Sequence, residues 1–373
     1  RIIGCGRSCL NGGQLGLIEK YKMGGDCLNY GCVPSKALLA AVHAAQALRA
    51  SNHFGIQANI EKIGPDGVFG HVWRTIARIE PKGSVELFQS LGVQVIEAAA
   101  QMVGPQQVIA GDTLITARRI VIATGSWAFI LPILGIADLP HITDQTVFDL
   151  DKILAHLVAI GGGPICIELA QAHQHLGSNV SVLEMFKIMP KDDPELVDVV
   201  RQKIIDDGIE LLEGVEVIWL EKSSGRVRVV LSKDGTEQSI DGSHLLFTSG
   251  RRRNVDGLEL EKAEIIYTDK GLNVDAHLCL TNNFFTISDV AGGLQFPHVA
   301  GYHASVVVKN VLFRLPAKAD NRSVPWVTYT SSELVQVGLN EGDARKKYGD
   351  TIKVLSWPDA GNDRAQAEGS HAV

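Results

Sequence analysis

Short apolar runs alternate along the chain with longer stretches that have the spacing of a helix. The short runs predict buried strands and lie at residues 2–6, 120–123, 157–160 and 180–184. Apolar positions recur with helical periodicity in the predicted helices, at residues 35–50, 60–91, 194–207 and 299–315. Further strands are predicted at 93–96, 107–118, 209–249, 271–280 and 284–287, and a new alternating pattern begins at residue 324. Strands that alternate with helices are typical of an α/β fold.

One strand–glycine–helix unit lies at Gly161-Gly162-Gly163, directly after the predicted strand at residues 157–160. Gly161 permits a tight turn, and Gly163 lets the backbone approach a pyrophosphate at the N-terminus of the next helix. Glu184 ends the following strand, about 20 residues further on, where a carboxylate can accept hydrogen bonds from ribose hydroxyls. This arrangement predicts a dinucleotide site that prefers NADH to NADPH, because the carboxylate repels a 2′-phosphate. A glycine turn with a purely structural role is the alternative interpretation.

Two cysteines with four residues between them precede the predicted helix at residues 35–50. Cys27 and Cys32 can close a small disulfide loop, and the helix N-terminus stabilises a thiolate there. Lys36 adds a positive charge one turn further along. The pattern is typical of thiol redox chemistry, either with a cofactor or as a sensor without one. Two buried structural thiols, or half of a metal site, are the other interpretations, although no second Cys/His pair has the spacing of metal ligands.

Length and composition restrict the class of protein. A chain of 373 residues is long enough for two or three domains, each with its own core. The formal net charge of −7 argues against a partner such as nucleic acid or an acidic membrane surface. Six cysteines are too few for a secreted disulfide scaffold, and no apolar run approaches the roughly 18 residues that span a bilayer. We therefore expect a cytoplasmic protein. Because the first residue is Arg1, we also expect the sequence to be incomplete at its start.

The segment around the two cysteines resembles the redox-active motif of the flavin-dependent pyridine nucleotide–disulfide oxidoreductases. The residues in register with that motif are Gly24, Gly25, Cys27, Asn29, Gly31, Cys32, Pro34, Ser35 and Lys36. The resemblance extends over most of the chain. Further segments are similar to later motifs of the family, at residues 123–125, 250–254, 285–293 and 325–338.

The resemblance implies an α/β protein with two Rossmann-like nucleotide-binding domains of the three-layer ββα type and the start of an α+β dimerisation domain. The FAD-binding domain would occupy residues 1–150 and 271–322, and the NAD-binding domain residues 151–270. Residues 323–373 would form a partial dimerisation domain. Full-length relatives would be homodimers.

The resemblance also implies a role for each motif residue. Cys32 would be the thiolate that faces the flavin, and Cys27 the thiol that attacks the substrate. Lys36 and Glu168 would form an ion pair beside the flavin N5, while Asp289 and Glu19 would bind the ribityl chain and the adenosine ribose of FAD. The full set of expected cofactor-binding residues is Gly4, Gly6, Glu19, Gly25, Lys36, Thr124, Gly125, Gly161, Gly163, Glu184, Gly250, Asp289 and Ala300.

In the implied reaction, NADH gives a hydride to FAD, and the flavin then reduces the Cys27–Cys32 disulfide. The resulting dithiol reduces a substrate, or the whole reaction runs in reverse. The opening Gly-Gly-Asp-Cys and Tyr30 are nearer to mercuric reductases than to glutathione reductase, with dihydrolipoyl dehydrogenase as a close second. The expected substrate is therefore Hg(II) or a small disulfide. No resident metal ion is expected.

The first glycine segment departs from the family pattern. Only eight residues separate Gly6 from Leu15, although a crossover with its helix takes at least roughly 10–12. Glu19 follows Gly4 by 15 residues, where this kind of unit needs about 20. Most of the first helix is therefore expected to be missing, which weakens the pyrophosphate site. The alternative function is a non-catalytic remnant that binds NADH without FAD.

Other differences and candidates lie later in the chain. The family's C-terminal histidine–glutamate pair has no counterpart before residue 373, so the end of the dimerisation domain is expected to be missing. Ser288 and Ser332 stand where Gly and Pro are usual, and Ser288 is the costlier change if its backbone needs a positive φ. His298 lies near the expected flavin edge, with helix capping or packing as the alternative. We expect the three arginines at residues 251–253 either to contact a phosphate of NADH or to form a solvated turn.

Overall fold

The structure is a computed structural model, and it describes residues 2–5, 14–223, 225–268 and 270–369. The chain divides into two compact units. The first unit consists of Arg1–Cys32, Ile76–Trp127 and Arg251–Val324, and the second of Val33–Thr75, Ala128–Gly250 and Pro325–Val373. The domain boundaries expected at residues 150, 270 and 322 stay predictions.

Both units combine helices with strands. The α-helices in the described residues are α1 (Gly25–Asn29), α2 (Cys32–Ala50), α3 (Pro65–Ile79), α4 (Val85–Ser90), α5 (Pro164–Leu176), α6 (Pro194–Asp206), α7 (Pro297–Val311), α8 (Glu341–Tyr348) and α9 (Asp363–Glu368). The strands in the same residues are β1 (Ile2–Cys5), β2 (Leu15–Glu19), β3 (Val93–Glu97), β4 (Ala100–Gly104), β5 (Gln107–Ala110), β6 (Thr113–Thr116), β7 (Arg119–Ile122), β8 (Ser126–Ala128), β9 (Ile142–Thr143), β10 (His156–Ile160), β11 (Asn179–Glu184), β12 (Glu210–Glu213), β13 (Val215–Ser223), β14 (Arg226–Lys233), β15 (Thr236–Gly242), β16 (His244–Phe247), β17 (Arg251–Arg253), β18 (Tyr267–Thr268), β19 (Gly271–Leu272), β20 (Phe284–Thr286), β21 (Pro325–Thr328) and β22 (Leu334–Val337).

A five-stranded sheet forms the centre of the first unit, with the strand order β20-β7-β1-β2-β3. Strands β2 and β3 are parallel, and so are β20 and β7. The central strand β1 is antiparallel to both of its neighbours, β2 and β7. A strand–glycine–helix unit requires a first strand that is parallel to the next one. β1 and β2 therefore do not form such a unit.

The short connection between β1 and β2 explains the reversed direction. Nine residues separate Cys5 from Leu15. Parallel neighbours need a crossover of about a dozen residues or more, whereas antiparallel neighbours can be joined by a short loop. The chain length available here therefore favours the antiparallel pair.

The reversal changes the position of the first predicted phosphate-binding glycine. Gly4 lies within β1, opposite Gly16 of β2 and Ile120 of β7, and not in a turn. The C-terminal end of β1 lies at the edge of the sheet opposite to Glu19, which ends β2. The structure therefore does not place Gly4 at a pyrophosphate site shared with Glu19, which corrects that prediction. Gly6 lies outside the described residues.

The core of the first unit lies between this sheet and the antiparallel sheet β4-β5-β6. Ile120 and Ile122 of β7 and Phe284 of β20 share one buried cluster with Met102 of β4 and Val108 of β5. Full burial of a side chain of this size stabilises the fold by about 1.5–3 kcal/mol relative to exposure. The cluster therefore holds β7 and β20 in place, so that their C-terminal ends are fixed.

The second unit contains a parallel sheet with the strand order β12-β11-β10-β16-β9. Helix α5 connects β10 to β11, and α6 connects β11 to β12. Val158 and Ile160 of β10 share a buried cluster with Val229 and Leu231 of the antiparallel sheet β13-β14-β15. Helix α5 packs against β10 and β11. A parallel sheet combined with helices and a second, antiparallel sheet confirms the predicted α/β fold class.

A buried group of polar side chains links α5 to the end of α6. Nε2 of Gln171 and Nζ of Lys203 each donate to a carboxylate oxygen of Asp207 at 2.7 Å, and Nε2 of His175 lies 2.9 Å from Oδ2. Burial raises the pKa of Asp207, but the hydrogen bonds from His175, Lys203 and Gln171 outweigh it and bring the pKa to about 2. Asp207 therefore stabilises the fold above its ordinary pKa of 3.8, and this contribution is lost as the pH falls from there to about 2.

Two sequence-based elements differ in the structure. The predicted helix over residues 60–91 is split into α3 and α4 by a 3₁₀ turn, Glu80–Gly83. Pro81 lacks an N–H and so cannot continue an α-helix, and Oγ of Ser84 then accepts from the amide of Leu87 to start α4. The predicted strand over residues 271–280 is limited to Gly271–Leu272. No helix in the described ranges is both long enough and apolar enough to cross a membrane.

Candidate active site

The two predicted redox cysteines lie on either side of a sharp bend between α1 and α2. Cys27 is the third residue of α1, and Cys32 is the first residue of α2. The main-chain amides of Tyr30 and Gly31 both donate to the carbonyl oxygen of Asp26, at 2.8 and 2.7 Å, and so close α1. Both cysteines are thiols in this structure, and both are half-buried. Cys32 lies where the dipole of a long helix favours a thiolate.

Glycine and asparagine residues make this bend possible. A Cβ atom on Gly31 would lie 3.1 Å from Oδ2 of Asp26 and 3.4 Å from Cα of Cys27, so a larger residue would push these segments apart. Gly25 opens α1 with a φ of +65°, which glycine adopts without strain. Nδ2 of Asn29 donates to the carbonyl oxygen of Gly25 at 2.9 Å. These motif residues therefore have a local structural function: they allow the chain to bend sharply within the short segment between the two cysteines.

Lys36 and Glu168 lie together in the second unit. Nζ of Lys36 donates to Oε2 of Glu168 at 2.7 Å. Lys36 follows Cys32 by four residues on α2, which places the two side chains on the same face of the helix. The side chain of Glu168 is 8% exposed and that of Lys36 is 38% exposed, so a ligand can approach the pair from the ammonium side.

A third residue, Tyr329, contacts both members of this pair. Oε1 of Glu168 accepts from the main-chain amide of Tyr329 at 2.9 Å. The Lys36 ammonium lies 4.2 Å from the centre of the Tyr329 ring. Nothing in the sequence near Tyr329 indicates this role, because the residue is distant along the chain from both partners.

Three predicted FAD-binding residues lie at one edge of the sheet in the first unit. Glu19 ends β2, Thr124 follows β7, and Asp289 follows β20. Ligands of open α/β sheets bind outside the C-terminal ends of such parallel strands. Glu19 is buried, and its Oε1 accepts from the amide of Tyr21 at 3.1 Å. Gly125 has a φ of +70° and open space where a Cβ would lie, so a ligand can approach its backbone closely.

Asp289 belongs to a hydrogen-bond network with Arg251. Oγ of Ser126 donates to Oδ2 of Asp289 at 2.5 Å, and Nε of Arg251 donates to the same Oγ at 2.8 Å. Nη2 of Arg251 also lies 3.0 Å from Oδ1 of Asp26. Arg253 donates from Nε to the carbonyl oxygen of Asp289 at 3.1 Å. The guanidinium groups of these two residues are bound to protein partners and so do not form a solvated turn.

Ser288 and Ser332 both have a positive φ. Ser288, directly before Asp289, has φ +70° and ψ −163°, a region that almost only glycine occupies. Ser332 has φ +80°. A proline ring holds φ near −65°, so the proline usual at this position in the family could not adopt this backbone. The strain expected at Ser288 is therefore present, and it lies next to a candidate cofactor ligand.

We expect the substitution Ser288→Gly to stabilise the fold by about 1–2 kcal/mol, because glycine adopts this backbone without steric cost. Urea unfolding of both proteins measures the difference. As a control, Ser305→Gly within α7 should destabilise by about 0.5–1 kcal/mol, because glycine is a poor helix former. A loss of stability in Ser288→Gly would contradict the strain argument.

The glycine segment of the second unit has the geometry of a dinucleotide turn. Gly161 has a φ of +127°, and a Cβ there would lie 2.7 Å from the carbonyl oxygen of Thr248. Gly163 precedes the first residue of α5 and has open space at its Cβ position. A Cβ on Gly162 would lie 2.7 Å from Cγ of Glu184, so the Glu184 side chain lies directly over the glycine segment. The Glu184 carboxylate and the glycine turn are therefore neighbours.

The remaining candidates lie apart from these groups. Gly250 has a φ of +126° and open space at its Cβ position. Ala300 is half-buried in the first turn of α7, and its amide donates to the carbonyl oxygen of Phe296 at 3.2 Å. The exposed His298 stacks on Phe296, with the ring centres 5.4 Å apart.

Two other described thiols have environments that oppose redox chemistry. Burial raises the pKa of the Cys166 thiol to about 12. Burial and the nearby charge of Asp275 raise the pKa of Cys279, whose Sγ donates to the carbonyl oxygen of Thr281 at 2.9 Å. Among the residues that the structure describes, no group of three or more His, Cys, Asp or Glu side chains is placed to hold a metal ion.

The polar groups at this edge of the first unit fit part of FAD. The carboxylates of Glu19 and Asp289 suit the hydroxyl groups of a ribose and a ribityl chain, and the open backbone of Gly125 suits a close approach. Gly4 does not fit the pyrophosphate, because it lies within the antiparallel strand β1. The described residues therefore offer carboxylates suited to sugar hydroxyls, whereas the glycine turn predicted at Gly4 is not formed.

These features define a class of two-unit α/β protein with a glycine turn between strand and helix and two closely spaced cysteines at a helix N-terminus. The chain belongs to the pyridine nucleotide-disulphide oxidoreductase family, whose sequence pattern matches residues 5–304. The membership predicted from the cysteine motif is thereby confirmed.

Individual relatives add detail to this membership. A mercuric reductase of Lysinibacillus sphaericus is 29% identical over 345 residues, which cover 90% of this chain. A dihydrolipoyl dehydrogenase of Geobacillus stearothermophilus is 30% identical over 370 residues, which cover 97% of this chain and 77% of that protein. The chain spans 62% of the length of the mercuric reductase it matches.

A solved structure shares the fold. The HOCl-induced flavoprotein disulfide reductase RclA from Escherichia coli, in its Cu(II) complex, superposes with a TM-score of 0.83 at 26% identity. The match covers 96% of this chain and 79% of that chain. Membership of a flavoprotein family implies that FAD and a pyridine nucleotide are the cofactors.

Proposed function

We propose that this protein is an FAD-dependent oxidoreductase that passes electrons from NADH to a disulfide or a thiol-binding metal ion through Cys27 and Cys32. One observation carries the proposal. Cys32 opens α2, Lys36 follows one turn later, and Lys36 is bonded to the buried Glu168. A reactive thiol at a helix N-terminus with a fixed positive charge on the same helix face is suited to thiolate chemistry.

The proposed thiol reaction is a disulfide exchange. The Cys27 thiolate attacks one sulfur of the substrate disulfide, whose S–S bond breaks and releases the first substrate thiol. Cys32 then attacks the sulfur of Cys27, releases the second thiol and leaves a Cys27–Cys32 disulfide. The two cysteines thus lose the two electrons and two protons that the substrate gains. We place this reaction in the cytoplasm, where thiols stay reduced.

The protein supplies binding and charge for the cofactors. FAD, when bound, transfers the two electrons of a hydride from NADH to the cysteine disulfide. Glu19 and Asp289 would bind its sugar hydroxyls, and the Lys36 ammonium would supply a fixed positive charge close to the flavin. This last placement is supported by the position of Lys36 one helical turn after Cys32.

The proposed NADH preference rests on Glu184. We expect Glu184→Gln to weaken NADH binding about tenfold, because a charged hydrogen bond contributes about 1.5–3 kcal/mol. NADPH binding should stay the same or become tighter, because the repulsion of its 2′-phosphate is removed. Titration of both nucleotides measures the two affinities. The control is Glu216→Gln, the same change at an exposed carboxylate of β13. An unchanged ratio of the two affinities would show that Glu184 does not determine the preference for NADH.

The substrate is proposed from the relatives. A mercuric reductase acts on Hg(II), and a dihydrolipoyl dehydrogenase acts on a dihydrolipoyl group. We propose a thiophilic metal ion or a small dithiol–disulfide as the substrate class. Consumption of NADH with Hg(II) in one assay and with lipoamide in a second assay separates the two, and the substrate with the higher kcat/KM is assigned.

A visible absorption spectrum, recorded before and after anaerobic addition of NADH, tests the proposed function. We expect flavin bands in the purified or FAD-supplemented protein, and a long-wavelength absorbance after reduction that reports contact between a thiolate and the flavin. A protein that stays colourless with added FAD would contradict the proposed function. A flavin that NADH does not reduce would contradict the proposed electron donor.

A further inference from the structure

One residue, Tyr329, contacts both members of the Lys36–Glu168 ion pair. Its main-chain amide donates to Oε1 of Glu168 at 2.9 Å. Its ring lies 4.2 Å below the Lys36 ammonium, measured to the ring centre. The second carboxylate oxygen, Oε2, accepts from Nζ of Lys36 at 2.7 Å. The ammonium is therefore held between a carboxylate and an aromatic face.

The segment that carries Tyr329 is itself fixed to α5. Glu168 accepts from the amide of Tyr329, and Oε1 of Gln171, three residues later on α5, accepts from the amide of Ser331 at 2.6 Å. The neighbouring Thr330 is 1% exposed. Two side chains of one helix thus bind alternate amides of the bend that connects β21 to β22. This fixes the backbone, and with it the position of the aromatic ring.

The ring restricts the Lys36 side chain in a way that the carboxylate alone does not. A lysine ammonium is a compact charge on a flexible stem, and a single carboxylate partner leaves it free to rotate. An aromatic face attracts the ammonium on a second side. Tyr329 is 37% exposed, so the ring also covers part of the ammonium while the rest stays accessible.

We propose that Tyr329 is a positioning residue that holds the Lys36 ammonium in one orientation and so fixes the charge acting on the flavin. This inference rests on the proposed function, which places Lys36 close to the flavin. A positive charge near the flavin favours the reduced, more negative state, and its effect falls as the charge moves away or becomes solvated. Loss of the ring therefore lowers the reduction potential of the flavin, although Tyr329 itself donates no proton or electron.

The midpoint potential of the bound flavin, measured by equilibration with a reference dye, tests the inference. We expect Tyr329→Leu to reduce the preference for the reduced flavin about threefold to tenfold, and tenfold equals about 30 mV for a two-electron couple. Tyr329→Phe keeps both the ring and the amide, so its potential should match the unchanged protein. Lys36→Met should shift the potential further than Tyr329→Leu, and adding Tyr329→Leu to Lys36→Met should cause no additional shift.

A second measurement needs no flavin. The rate at which acetic anhydride acetylates Lys36 is followed by peptide mass spectrometry. This rate measures how accessible the side-chain nitrogen of Lys36 is to the reagent. We expect Tyr329→Leu to raise this rate about threefold or more, because the aromatic contact is lost. Tyr329→Phe should leave the rate unchanged.

The outcomes separate this inference from the proposed function. If Lys36→Met shifts the potential and Tyr329→Leu does not, the positioning role of Tyr329 is wrong and the proposed function stands. If Tyr329→Phe shifts the potential as far as Tyr329→Leu, the aromatic face is not the cause, and the inference is also wrong. If Lys36→Met leaves the potential unchanged, the proposed placement of Lys36 at the flavin is wrong, and the positioning role of Tyr329, which depends on it, is wrong as well.

Discussion

Replacing Cys32 with serine is expected to lower NADH-driven reduction of the substrate by about a thousandfold or more, the scale on which enzymes lose activity when a reacting nucleophile is removed. The hydroxyl of serine cannot form the disulfide with Cys27, so the electrons have no route to the substrate. Bound flavin should remain, because Cys32 is not among the groups that bind its sugars. Steady-state NADH oxidation and the visible spectrum of the same sample measure the two properties.

Two further variants separate the roles of the two thiols and provide a control for this experiment. Cys27→Ser should also abolish turnover, but it keeps the thiolate at the start of α2 and with it the long-wavelength absorbance, which Cys32→Ser loses. Cys279→Ser makes the same chemical change at a half-buried thiol outside the pair and should retain activity within about twofold, since serine is similar in size and can also donate to the carbonyl oxygen of Thr281. Full activity in Cys32→Ser would exclude the thiol mechanism.

A pair of glycine substitutions in the second unit has the next largest expected effects. Gly161→Ala requires a Cβ 2.7 Å from the carbonyl oxygen of Thr248 and a φ of +127°. We expect it to destabilise the protein by about 2–4 kcal/mol, because both backbone strain and a clash with main-chain atoms oppose it. Loss of the native turn should weaken NADH binding about a hundredfold. Urea unfolding and nucleotide titration measure the two effects.

Gly163→Ala is the matched variant two positions further on. Gly163 has an ordinary φ of −76° and no atom within 4 Å of its Cβ position, so the fold should keep its stability within about 0.5 kcal/mol. NADH binding should nevertheless weaken about tenfold or more, because a pyrophosphate on this helix N-terminus would meet the new methyl group. Unchanged NADH affinity in Gly163→Ala would show that the turn is purely structural.

The features that were predictable from sequence are those in which one short segment contains the whole signal. The turn at Gly161–Gly163 needs only a strand before it and a helix after it, and the spacing to Glu184 comes from one strand–helix–strand unit. Cys27 and Cys32 likewise carry their chemistry in their own spacing and in the helix that follows. In such segments local geometry determines the structure, so a pattern in the sequence is sufficient.

The features that were not predictable depend on partners far apart in the chain. The bond from Ser126 to Asp289 and the ion pair between Arg251 and Asp26 join segments that the sequence does not relate. The contact of Tyr329 with Lys36 is of the same kind. The direction of β1 is a different case: the short connection to β2 is visible in the sequence, whereas the pairing of β1 with β7 joins segments far apart in the chain.

The reversed strand β1 also has a consequence for the order in which the first sheet folds. In a sheet with a parallel central strand, each neighbouring strand can pair with it only after a long crossover connection has closed. Here β1 and β2 form a hairpin, and hairpins form within microseconds, whereas the pairing of β7 with β20 requires the ends of a long loop to meet. The middle of the sheet can therefore assemble first and act as the template onto which the distant strands β3, β7 and β20 are added from either side.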